Sequence, residues 1–138
     1  MSSLSLLILR VGVGAMMLFG HGLQKLTTYA DLKGVFPDPL GLGSAVSVTL
    51  VVFAEFFCSL LLIFGVCTRL VTVPLIINMA VAGFIFHSAD TWEKKELAFA
   101  YLVPFVTLFL SGGGEYSISA VLKKKCAQKG KTCLWLWG

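Results

Sequence analysis

The stretch 45–66, AVSVTLVVFAEFFCSLLLIFGV, contains one charged side chain, Glu55, within an otherwise apolar run. About 20 predominantly apolar residues in a helix are enough to cross the hydrocarbon core of a bilayer. Lipid offers no partners for backbone N–H and C=O groups, and the run lacks the alternation of a barrel strand. The stretch therefore predicts a membrane-spanning helix.

Three further apolar runs flank this one, so we expect four spans at about 4–26, 45–66, 69–88 and 94–111. Pro74 and Pro104 lie inside the last two, where a span tolerates proline better than a soluble helix does. The predicted fold is an all-α, integral membrane four-helix bundle. It forms one transmembrane domain over residues 1–119, followed by a basic cytoplasmic tail over 120–138.

The composition agrees with a lipid environment. Of the 138 residues, 57% are hydrophobic and 13% are charged, whereas a soluble domain is about a quarter charged. The formal charge of +4 does not indicate nucleic-acid binding, because much of the basic charge lies in the tail. The four cysteines form no C-x-x-C pair, so neither a disulfide framework nor a metal site is expected.

The distribution of basic residues predicts the orientation. With four spans both termini share one side, and basic residues are enriched on the cytoplasmic side. We therefore expect both termini in the cytoplasm, in what we take to be a bacterial cytoplasmic membrane. The basic residues expected on the terminal side are Arg10, Arg69, Lys123, Lys124, Lys125, Lys129 and Lys131, against Lys25, Lys33, Lys94 and Lys95 opposite. Of these, Arg69 and Lys123 to Lys125 are the expected anchors at the cytoplasmic interface.

Ionisable residues inside spans usually face the bundle interior or a water-filled cavity. The helical period places Arg10, Gly14, Met17, His21 and Lys25 on one face of the first span, and Met79, Gly83 and His87 on one face of the third. In the fourth span the same reasoning favours the face of Glu96, Ala100, Val103 and Thr107.

These faces predict an outward-opening polar pocket with Glu55 at its floor. A buried carboxylate must be neutralised or find a cation, and Lys25, His21 and Arg10 remain equal candidates for that partner. The expected pocket residues are Arg10, His21, Lys25, Glu55, His87, Glu96 and Tyr101. The alternative is structural: snorkelling arginines, interfacial anchors at Lys25 and Glu96, and hydrogen-bonded histidines.

The pattern resembles the DoxX family of small four-span membrane proteins, over about residues 4–119. Each element is common alone, but their order and spacing together are specific. The elements are Arg10 with Gly14, Gly20 to Leu26, Glu55, Leu62 to Arg69, Met79 and Ala80 with His87, Glu96 with Tyr101, and Ser111 to Ile118.

The resemblance implies a quinol- or thiol-linked redox subunit that depends on a partner protein for electrons. No cofactor follows directly from the sequence, but a pocket of histidine, lysine and glutamate suits a quinone, which is the candidate cofactor or substrate. The alternative is a non-enzymatic membrane component: a small-solute or proton pathway, which favours a homo-oligomer, or a scaffold for a partner. Haem held between His21 and His87 is not expected, although histidine pairs are suitable axial ligands.

Overall fold

The computed structural model describes residues 2–128, with side chains for residues 2–125. Every regular element in that range is helical. The predictions for Lys129, Lys131 and Cys133, and for the side chain of Cys126, lie outside the described residues.

Four long helices follow one another along the chain. They are α1 (Ser3–Thr27), α2 (Ser44–Phe64), α3 (Thr68–Phe86) and α4 (Trp92–Ser111). Each end lies within two residues of the end expected from hydropathy. A shorter helix, α5 (Ile118–Gln128), follows and crosses the expected start of the tail at residue 120.

Helices α1, α2 and α3 are each long and apolar enough to cross a membrane. Helix α4 is also long, with 20 residues, but its first turns carry Glu93, Lys94, Lys95 and Glu96. Its apolar part is therefore shorter. Helix α4 packs mainly against α3 and also contacts α1.

The helices meet in a core to which each long helix contributes. Met17, Leu62, Leu75 and Phe105 are all at most 1% exposed and belong to one cluster. The outer surface is also apolar, with Ile8 66% and Phe84 63% exposed. Such a surface would be unfavourable in water but suits a lipid environment.

The inward face of α4 differs from the expected one. Its buried residues are Ala98, Tyr101, Phe105 and Leu108, whereas Glu96 and Ala100 are exposed and Val103 is 66% exposed. The expectation began from the charged residue Glu96. The helix instead turns its aromatic and leucine stripe into the core, because close van der Waals packing is what favours helix association in lipid.

The turn between α2 and α3 is short. Gly65 ends α2 with a φ of +70° and Cys67 precedes α3 with a φ of +46°. A side chain at Gly65 would be strained by that φ and would also overlap the Arg10 guanidinium. The turn therefore requires glycine for both conformation and space.

Candidate functional site

Glu55 lies at the centre of a polar cluster between α1, α2 and α3. It is 3% exposed. One carboxylate oxygen, Oε2, lies 2.5 Å from Lys25 Nζ, and the other, Oε1, accepts a 2.9 Å hydrogen bond from Asn78 Nδ2. Of the three basic candidates, the structure therefore pairs Lys25 with Glu55. Both oxygens of the buried carboxylate have partners, as a buried charge requires.

Each of the three apolar helices contains a π-helical segment at or near this level. The segments are Leu18–Gly22 in α1, Phe53–Cys58 in α2 and Val81–Phe86 in α3. Glu55 lies in the second, and His87 directly follows the third. A π-helical turn carries an extra residue and is frequent at functional sites.

Gly22 allows α1 and α2 to approach closely beside the cluster. A Cβ at Gly22 would overlap the backbone carbonyl of Glu55. The adjacent glycine Gly20, by contrast, has open space around it. Gly22 therefore fixes the distance across which Lys25, one turn further along α1, reaches Glu55.

A groove of about 610 Å³ opens beside the Lys25–Glu55–Asn78 cluster. Its walls are α2, α3 and the connection between α1 and α2, and its lining is almost entirely apolar. The apolar lining includes Phe36, Pro37, Pro39, Leu40, Leu42, Leu50, Phe53, Pro74, Ile77 and Phe86. An apolar cleft with a few converging polar groups is the usual form of a small-molecule site.

Asp38 holds the connection that forms one wall of the groove. Its carboxylate accepts hydrogen bonds from the Leu42 and Gly43 amides, at 2.9 and 2.6 Å, and from Ser47 Oγ at 2.8 Å. These bonds, led by that of Gly43, lower the pKa of Asp38. The carboxylate also lies at the start of α2, where negative charge is favourable.

His87 also lines the groove and lies in the turn between α3 and α4. Its Nδ1 is 2.7 Å from Asp90 Oδ2, and Lys94 Nζ lies 3.4 Å from Asp90 Oδ1. The hydrogen bond with His87, followed by the charge of Lys94, lowers the pKa of Asp90. An ionised carboxylate only accepts hydrogen bonds, so His87 Nδ1 is the donor in this bond and its other ring nitrogen, Nε2, is left for other partners.

Other expected pocket residues lie near the cluster but outside the groove lining. The His21 ring packs edge-on against Tyr101, with ring centroids 5.6 Å apart. Tyr101 is buried, stacks on Phe105 and lies within electrostatic range of Glu55.

Arg10 lies at the opposite end of α1 from Lys25. It is 2% exposed and donates to the Gly113 carbonyl at 2.8 Å and the Tyr116 carbonyl at 3.3 Å. The guanidinium therefore binds the chain after α4 and not Glu55. Its inclusion in the pocket is wrong, because the helical face that it shares with Lys25 extends over several turns.

The remaining basic and acidic candidates lie away from the groove. Glu96 is exposed and does not line the groove. Arg69 donates one 3.3 Å bond to the Leu110 carbonyl. Lys123, Lys124 and Lys125 are exposed on α5, which leaves their expected role as interfacial anchors a prediction.

The family model for DoxX matches residues 5–88 of the chain. The chain belongs to the DoxX family. The matched segment covers α2, α3 and all but the first two residues of α1, and so includes Lys25, Glu55, Asn78 and His87. A protein of Haemophilus influenzae described as uncharacterized is 31% identical over 131 residues, covering 89% of this chain and 86% of its own length. No solved structure matches the chain.

Sequence reasoning missed three polar residues of this DoxX protein. Asn78 was overlooked although it is the one amide within the apolar run of α3, and such a residue signals a buried hydrogen bond. Asp38 and Asp90 are also absent from the predicted site. Their short spacing to Ser47 and His87 gave a weak signal, because acidic residues are common in turns.

Proposed function

We propose that this protein is a quinol-linked redox subunit of a bacterial cytoplasmic membrane, with both termini in the cytoplasm. The observation that carries the proposal is the Lys25–Glu55–Asn78 cluster in the lining of an apolar groove. A quinone has an apolar ring and tail with two polar oxygens, and the groove offers matching surfaces.

The cluster has hydrogen-bonding capacity left for such a headgroup. A lysine ammonium has three donors and an asparagine amide has two donors and one acceptor. Within residues 2–125, one donor of Lys25 and one of Asn78 are used on Glu55. The remaining donors suit a quinone carbonyl, and the Asn78 carbonyl suits a quinol hydroxyl.

The groove wall suits a ligand that arrives through the membrane. Several lining side chains belong to the exposed apolar surface: Leu50 is 52%, Phe53 49% and Ile77 57% exposed. The tail of a lipid-soluble quinone would lie along these residues. The electrons would pass to a redox-cofactor-bearing partner protein, since the proposal assigns no redox centre to the chain itself.

The direct test is quinone binding by the full chain in nanodiscs, using decylubiquinone as the probe. Glu55→Gln and Asn78→Leu should each weaken binding about tenfold or more, because each removes a hydrogen bond to a charged group. Glu96→Gln is the matched control, an exposed carboxylate outside the groove. Unchanged affinity in Glu55→Gln, or equal losses in Glu55→Gln and Glu96→Gln, would contradict the proposal.

The second candidate is a non-enzymatic proton or small-solute pathway, or a scaffold for a partner protein. It is favoured by the Lys25–Glu55 ion pair within membrane helices, since such residues also mark pathways. Proton flux through liposomes containing the protein, abolished by Glu55→Gln without any quinone binding, would favour it over the redox role.

A further inference from the structure

Glu55 and His87 both line the groove. Asn78, which holds Glu55, lies on α3 nine residues before His87, a separation of roughly 13 Å along an ideal α-helix axis. One quinone ring is too small to contact both groups. We therefore expect Glu55 and His87 to have different roles.

Oxidation of a quinol at the Glu55 cluster would release protons at an enclosed site. Each quinol that loses two electrons also releases two protons, here beside an ion pair that α1, α2 and α3 enclose. A carboxylate such as Glu55 accepts one proton as a quinol O–H bond breaks. That proton must then reach water before Glu55 can accept another.

His87 is placed to receive it. The imidazole lines the groove, its side chain is 25% exposed, and Asp90 fixes its Nδ1. Its Nε2 makes no hydrogen bond within residues 2–125 and is not among the enclosed polar atoms there. The histidine thus contacts the groove on one side and the solvent-exposed turn on the other.

Charged groups lie close to His87 on its own turn and on α4. Asp90, on the same turn, carries the counter-charge, and Lys94 of α4 bonds the other Asp90 oxygen. Lys95 of α4 is engaged with the Ser88 carbonyl at 2.8 Å. Across the groove the charged residues are Lys25 and Glu55, which already neutralise each other.

We propose that the His87–Asp90 pair is the proton exit of the groove. A proton taken from quinol by Glu55 passes along groove water to His87 Nε2, and then to the solution on the side of the α3–α4 turn. The electrons go to the redox cofactor of the partner protein. The inference rests on the proposed function for its proton source. In this scheme His87 exchanges protons, and Asp90 is a positioning residue.

The test measures electron and proton release separately. Decylubiquinol is bound to the full-length protein in nanodiscs. The bound quinol is then oxidised with ferricenium, a lipid-soluble one-electron oxidant. Two ferricenium ions oxidise one quinol to quinone, and the reaction yields two ferrocene molecules and two protons. Quinone formation is followed by ultraviolet absorbance, and proton release by a pH indicator, after subtraction of the signal from protein-free nanodiscs.

In the wild type both signals should rise together. His87→Gln should slow proton release about tenfold or more relative to quinone formation, the size expected for a lost proton-transfer group. Added imidazole should restore the rate in His87→Ala. Asp90→Asn should move the pH profile of proton release to lower pH, because the imidazolium loses its counter-charge.

His21→Gln is the matched control, because His21 contacts Tyr101 and does not line the groove. Equal proton release in wild type and His87→Gln, or an equal slowing in His21→Gln, would overturn the proton exit and leave the quinol site standing. Failure of the wild type to bind decylubiquinol would overturn both proposals.

Discussion

Asn78 of α3 donates a 2.9 Å hydrogen bond to Oε1 of Glu55 on α2, the carboxylate oxygen that Lys25 leaves free. Three helices thus meet at one carboxylate. Because a buried charge is costly unless it is paired and hydrogen-bonded, the arrangement ties the ligand-binding groups to the packing of α1, α2 and α3.

Replacing Lys25 and replacing Glu55 should lower the unfolding free energy by different amounts. The Lys25 side chain is 25% exposed and that of Glu55 is 5% exposed. Lys25→Met leaves a buried carboxylate without a cation and should cost about 3 kcal/mol of unfolding free energy. Glu55→Gln should cost less, since the remaining ammonium reaches the groove. The measurement is reversible unfolding in mixed detergent micelles.

The double variant Lys25→Met/Glu55→Gln completes a thermodynamic cycle. Its destabilisation should be smaller than the sum of the single losses, because it leaves no unpaired charge. Lys33→Met, at an exposed lysine in the connection after α1, is the control and should be close to neutral. Additive losses at Lys25 and Glu55 would mean that the pair is not coupled.

The approach of α1 to α2 depends on Gly22. Gly22→Ala should destabilise the protein by about 1–3 kcal/mol, the usual cost of overpacking, because the new Cβ overlaps the Glu55 backbone. It should also weaken decylubiquinone binding by moving Lys25. Gly20→Ala has nothing within 4 Å of the new Cβ and should leave both properties unchanged. Similar effects of the two substitutions would rule out this close contact.

The sequence predicted the helices better than it predicted their rotation. Helix ends follow from where apolar runs stop, so the predicted ends lie close to the observed ones. The choice of Lys25 over His21 and Arg10 depends on where helices cross, and three groups on one face of α1 give no information about that. Glu96 shows the same limit, because the hydrophobic stripe around Tyr101, and not the charge, sets which face of α4 is buried.

The order of the 36–43 connection should depend on pH through Asp38. Its pKa is lowered in the folded protein by the hydrogen bonds it accepts. The stabilisation is therefore fully present above the ordinary pKa of 3.8 and is lost as the pH falls through the lower folded value. Amide exchange at Leu42 and Gly43, expressed as protection factors, should be constant near neutral pH and fall in strong acid.

Asp38→Asn should reduce that protection at all pH values and remove its dependence on acid, since an amide accepts fewer hydrogen bonds. Asp31→Asn, at an exposed aspartate between α1 and the 36–43 segment, is the control. A loss of protection on acidification that persists in Asp38→Asn would assign the effect to another group.

Arg10 should be important for stability without affecting the groove. It is enclosed, and its two terminal nitrogens reach carbonyls on both sides of the Gly114 turn. Arg10→Ala leaves those two carbonyls without their donor and creates a cavity where the side chain was. We therefore expect a loss of about 3 kcal/mol in unfolding free energy. Arg10→Lys should recover little of that stability, because a single ammonium cannot reproduce the planar fork of the guanidinium.

The control is Arg69→Ala, which removes one 3.3 Å bond from a more exposed arginine and should cost about 1 kcal/mol. Decylubiquinone affinity should stay within about twofold of the wild type in all three variants, since neither arginine lines the groove. A variant of Arg10 that folds with normal stability but loses quinone binding would instead place this arginine in the binding function.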